Sequence, residues 1–121
     1  MKRSWIVLAV ALTIGAHGTA WASWVDYGGR IKSMMLYSHT DIVLVELDPP
    51  PTIAGLPAGC STSFFAIDGA IPAERRQQML STLLTADALQ GGINLTNDGT
   101  CVSFPGGGAF PKIVRVRYWT P

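Results

Sequence analysis

Apolar residues recur along the chain at three periods, and each change of period marks a boundary. The first stretch is continuous: Lys2 and Arg3 precede an apolar run from Trp5 to Ile14, and small residues then lead to Ala20-Trp21-Ala22. A basic start, a short apolar run and an A-x-A site are the three parts of a secretory signal peptide, with cleavage expected after Ala22. The run is too short to span a bilayer as a helix, which takes roughly 20 apolar residues. Residues 1–22 are therefore read as an address and 23–121 as a single domain, periplasmic or secreted, with no membrane span after cleavage.

The second period is two. After Gly28-Gly29, the run Arg30 to Ser38 alternates, with Ile31, Met35 and Tyr37 on one face and Arg30, Lys32, Met34 and Leu36 on the other. Ser38 to Asp41 is a polar turn, and Ile42 to Leu47 is apolar but for Glu46, as in a strand buried on much of both faces. The two runs predict a hairpin. Asp48-Pro49-Pro50-Pro51 ends it, since proline has no N–H for a ladder, and a loop follows to Gly59. Ser61 to Asp68 predicts a third strand, with Ser63, Phe65 and Ile67 on one face and Thr62, Phe64 and Ala66 on the other.

After Gly69 the period becomes helical. Pro72 suits a helix start and Glu74 its positive end. Met79, Leu80, Leu83, Leu84 and Ala88 recur at three- and four-residue spacing, and Gly91-Gly92 is read as the stop. Ile93 to Thr96 predicts a short fourth strand, closed by Asn97-Asp98-Gly99 and anchored by Cys101. Phe104 to Pro111, with Gly106, Gly107 and Gly108, is read as a loop. Lys112 to Trp119 predicts the last strand, in which Val114, Val116 and Tyr118 alternate with Arg115, Arg117 and Trp119.

The predicted order is β-β-β-α-β-β. One helix cannot cover both faces of an open sheet, whereas a sheet closed on itself with the helix plugging one end buries both. The expectation is a mainly β fold with one helix, a five-stranded OB-like barrel. An α+β sandwich with the helix on one sheet face is the alternative. Cys60 and Cys101 both lie beyond the signal, and two cysteines in an oxidising compartment most simply form one disulfide. It would tie the start of the third strand to the end of the fourth.

Composition then narrows the function classes. The 121 residues carry nine Lys+Arg and eight Asp+Glu, a net +1 that becomes −1 when Lys2 and Arg3 leave. The positive mean hydropathy, +0.28, owes much to the signal segment. A near-neutral exported domain lacks the basic excess of nucleic-acid binders, so no nucleic-acid partner is expected.

Gly29-Arg30-Ile31, Cys60, Gln78-Met79-Leu80, Leu83-Leu84-Thr85-Ala86, Gly91-Gly92-Ile93 and Gly99-Thr100-Cys101 together form a spaced pattern. In these positions the chain resembles small exported bacterial OB-fold proteins similar to the B subunit of subtilase cytotoxin. The resemblance covers residues 29 to about 117 and concerns structural positions. It implies an OB fold and, in the toxin B subunits, pentamers that bind host glycans; other relatives of this pattern stand alone. No glycan-contacting residue carries over.

Little in the chain points to catalysis. His39 is the one imidazole beyond the signal. Its spacing from Asp41 fits an orienting pair, but solvated turn chemistry is the commoner meaning. The carboxylates are scattered rather than paired for acid and base roles. The triglycine lacks the Lys-Ser/Thr and helix of a phosphate loop. Two cysteines and one histidine do not make a zinc tetrad, and no cofactor is implied. Asn94-Leu95-Thr96 matches a glycosylation acceptor by chance within a strand.

The candidate binding residues are Arg115, Arg117 and Trp119, a guanidinium–aromatic array able to hold acidic or sugar groups. His39 joins them, lying in a loop position through which OB folds bind. The expected function is a non-catalytic exported module recognising a glycan or a protein surface. The alternative is a toxin-like subunit acting as a homo-oligomer with a catalytic partner.

Overall fold

The fold turns on its first strand. A computed structural model describes residues 24–119, so the expected signal peptide lies outside the described residues. In it β1 (Val25–Leu36) is twelve residues long and serves two neighbours. Val25 to Gly29 pairs antiparallel with β4 (Gly92–Asn97), and Arg30 to Leu36 pairs antiparallel with β2 (Val43–Asp48). Between Ile31 and Ser33 the register slips. Such a bulge puts one extra residue in the strand and reverses which side chains face which way. The expected face of Ile31, Met35 and Tyr37 is therefore split. Ile31 and Met34 pack on one core cluster, while Met35 and Tyr37 pack on another.

The remaining elements are β3 (Phe65–Ile67), α1 (Ala73–Ala88), β5 (Cys101–Ser103), β6 (Ala109–Pro111) and β7 (Arg115–Trp119). The main antiparallel sheet has the order β3-β2-β1-β4-β7, and β5 and β6 form a separate two-stranded sheet. The described residues are thus mainly β with one helix, as expected. The sheet is not closed into a barrel. Its end regions meet at the parallel bridge between Ala66 and Lys112, where the Ile113 N–H donates to the Ala66 carbonyl at 2.8 Å. β3 is three residues long, shorter than Ser61 to Asp68 had suggested, and Pro111 has no N–H to extend a ladder.

The segment from Phe104 to Pro111 is also more ordered than a loop. It contains β6, and Gly106, Gly107 and Gly108, all at positive φ, turn the β5–β6 hairpin. This hairpin covers the second face of the sheet over β2, β3 and the later half of β1. Val102, with Phe104 and Phe110 beside it, packs on Ile42, Leu44 and Ala66, whereas Val45, Leu47, Phe65, Ile67, Ile93 and Leu95 form the first core beneath α1. β2 is consequently buried on both faces over Leu44 to Leu47 apart from Glu46, the condition its mostly apolar run anticipated.

The helix presents Leu83 and Ala86 to the core, with Met79 packed beside them, but Leu84 is 50% exposed and Ala88 is exposed. Its buried line is narrower than the stripe predicted. At its end, Gln90 takes the left-handed conformation (φ 53°), and the Gly91 N–H donates to the Ala86 carbonyl at 2.9 Å. The chain thus turns at Gln90 and not at the glycine pair. The Cys60–Cys101 disulfide forms as expected, with Cα atoms 6.4 Å apart across 41 residues of sequence. It fixes the segment before β3 to β5. No helix among the described residues is long and apolar enough to cross a membrane.

Candidate binding face on β1, β4 and β7

Alternation along the strands makes one polar face. Ile93, Leu95 and Val116 point into the first core, so the residues between them project from the other side of the sheet. The register places them in rows. Asp26 of β1 lies opposite Thr96 of β4, which lies opposite Arg115 of β7; Gly28, Asn94 and Arg117 form the next row; Gly92 and Trp119 pair beyond it.

The first row is closed on itself. The Thr96 hydroxyl donates to Asp26 Oδ1, Arg115 Nε donates to Thr96 Oγ1 at 3.1 Å, and Arg115 Nη2 lies 3.1 Å from Asp26 Oδ1. The Arg115 guanidinium also lies over the Trp24 ring, 5.7 Å from its centre. The Thr96 hydroxyl, then the Arg115 guanidinium, holds the Asp26 carboxyl below its ordinary value. Arg115 is therefore committed to holding strands together. Removing it would strand Asp26 and Thr96 as well as subtract a cation.

The next two rows are open. Arg117 makes no side-chain hydrogen bond or ion pair with any described residue, although its charge reaches Asp26. Beside it two glycines form a floor. A Cβ on Gly92 would sit 2.3 Å from Trp119 Cε2, and one on Gly28 would meet Asn94 Oδ1 at 2.9 Å and the far edge of the indole at 4.0 Å. The indole of Trp119 thus lies across bare backbone, 44% exposed, with Asn94 alongside. Arg30, exposed on β1 and paired in register with Asp48, continues the face. An aromatic shelf beside an uncompensated guanidinium is suited to an anionic group carried on an apolar or sugar body.

Of the sequence-predicted residues, Arg115, Arg117 and Trp119 come together on this face and His39 does not join them. Its ring meets Tyr37 and Phe104 edge-on, with centroids at 5.7 and 6.3 Å, beside the β5–β6 hairpin. Nor do His39 and Asp41 pair, because Asp41 faces Arg76 at 3.5 Å. Glu46 accepts from Ser33 Oγ at 2.8 Å and pairs with Lys32 at 3.2 Å, and these partners hold its carboxyl below the ordinary value. Arg30, Asn94 and the glycine floor do not stand out in the sequence. Alternation back from Arg30 would have aligned it with Gly28 and Asp26, but the cross-strand rows depend on register.

No family model, curated protein or solved structure matches the chain.

Proposed function

We propose that the protein is an exported, non-catalytic binding module that captures an acidic glycan on the β1–β4–β7 face. The observation that carries this is Arg117, uncompensated among the described residues and set beside the Trp119 indole on its glycine floor. A guanidinium holds a carboxylate or sulfate by paired hydrogen bonds, and an indole face packs against the apolar side of a sugar ring. Export fits the basic–apolar–A-x-A start of the chain and the disulfide. An open OB-like barrel, as in the toxin B subunits the sequence resembles, fits the bulged β1 shared by two half-sheets, the helix between β3 and β4, and the Ala66–Lys112 bridge.

Glycan-array capture tests this reading. We expect retention on carboxylated or sulfated glycans over neutral ones, and loss of retention in Arg117→Ala and Trp119→Ala with melting unchanged. Equal retention of neutral glycans, or full retention by both variants, refutes it. A second reading, a homo-oligomeric subunit serving a catalytic partner, is favoured by the exposed Leu84, Leu89 and Tyr118. Light scattering separates the two: a strict monomer at micromolar concentration rules the oligomer out.

A further inference from the structure

Behind β7, on the side of the sheet opposite Arg117, lies a cavity of about 540 Å³ that the proposed glycan site does not use. It opens between the first turns of α1 and the chain leading into β7, within the range of roughly 300–1,000 Å³ in which small-molecule sites fall. Its walls are built by the same periodicities that build the fold. Met79 comes from the helix above, Val116 from β7 and Val114 from the chain leading into it, and Trp24 lines the site as well. Met79 and Val116 already pack against the main core, so the cavity is an apolar extension of that core to the surface.

The charge at this opening has one sign. Arg75 from α1 and Lys112 from the strand approach both line it, and no carboxylate is among its described lining residues. Lys112 reaches Asp68 at 3.7 Å, but Arg75 has no ion pair with any described residue. An apolar body alone would not account for Arg75 at the rim. A neutral ligand would leave it unused, and a cationic one would be repelled.

We infer that this cavity binds an amphiphilic carboxylate, its hydrocarbon body against Met79, Val114, Val116 and Trp24 and its head group between Arg75 and Lys112. Binding is independent of the glycan face, because Arg117 and Val116 project from opposite sides of β7. The two proposals can thus fail separately. The chemistry is that of a free fatty acid or of an anionic membrane surface, and we assign the free acid because its single carboxylate matches Arg75, the cation of the opening that has no ion pair with any described residue.

The test is titration of the purified protein with dodecanoate below its micelle concentration, followed by tryptophan fluorescence and calorimetry, with dodecanol and phosphatidylglycerol vesicles as parallel arms. We expect saturable one-to-one binding of dodecanoate and weaker binding of dodecanol. Arg75→Gln with Lys112→Gln should weaken dodecanoate by roughly tenfold or more, the loss of at least one charge-assisted hydrogen bond, and leave dodecanol unchanged. Thr82→Trp, which fills the cavity from its rim, should abolish both. Arg117→Ala should bind dodecanoate as the unmodified protein does. Absence of saturable binding, equal affinity for acid and alcohol, or binding to vesicles alone overturns the proposal. So does undiminished binding in either cavity variant when its melting matches that of the unmodified protein.

Discussion

Gly91 and Gly92 are neighbours with opposite tasks, and replacing each with alanine separates stability from function. A Cβ on Gly91 would lie 2.5 Å from the carbonyl oxygen of Trp119. That oxygen belongs to backbone, so contact at even 3.0 Å requires the end of β7 to retreat by 0.5 Å from the buried Gly91. Overpacking of this kind costs about 1–3 kcal/mol. Alanine recovers about 0.4–1 kcal/mol by narrowing the unfolded ensemble. At the middle of both ranges the steric cost wins by about 1.3 kcal/mol, or roughly 5–10 °C in melting temperature for a domain of this size. At Gly92 the obstructing atoms, at 2.3 to 2.6 Å, all belong to the Trp119 indole, which can swing away. Gly92→Ala should therefore melt closer to the unmodified protein but lose the aromatic shelf. Thermal unfolding by circular dichroism measures the first effect. Tryptophan emission in a Trp24→Phe background measures the second, as a red shift. Unchanged melting in Gly91→Ala, or an equal loss in both variants, would refute the reasoning.

Two further outcomes follow from the covalent and ionic ties. Replacing Cys60 and Cys101 together with alanine frees a loop spanning 41 residues, which the chain-entropy view values at about 3–4 kcal/mol; denaturant titration of the double variant should show a loss of that order, and unchanged stability would contradict it. The Asp26 carboxyl is held below its ordinary value of 3.8 by Thr96 and Arg115, so it contributes stability above that pH and loses it as pH falls through the lowered value. Asp26→Asn should consequently lower stability at neutral pH and flatten the acid limb of the stability–pH curve, and the curves should converge in acid. A parallel offset at every pH would show that the carboxylate charge is not the source.

Much of the fold was legible because burial imposes periodicity. The mostly apolar Ile42–Leu47 run, the alternation at Phe64 to Ile67 and the helix all appear where the pattern put them, and the cysteines met. What escaped the pattern has specific causes. The β1 bulge reverses side-chain parity at Lys32, and only pairing with β2 reveals it. The glycines that form the β5–β6 turn also obscured β6, which owes its order to cover over Ile42 and Leu44. The helix stop was assigned to Gly91-Gly92, whereas the chain turns at Gln90 and those glycines admit Trp119. On the candidate site, Arg115, Arg117 and Trp119 were visible as one strand face. The distinction between a committed Arg115 and an uncommitted Arg117 was not, because it depends on Asp26 and Thr96 arriving from other strands. His39 was drawn in by loop position, and the Phe104 hairpin holds it elsewhere.

The central claim is that the β1–β4–β7 face is the contact surface. It is tested most directly by titrating the isotopically labelled protein with a carboxylated glycan while following each backbone amide and the Trp119 indole N–H by nuclear magnetic resonance. The account predicts saturating shifts centred on Arg30, Asn94, Arg117 and Trp119, with Arg75 and His39 unmoved. Shifts centred on His39 and Phe104, or on the α1 cavity, or no saturating shift at any amide, would contradict it.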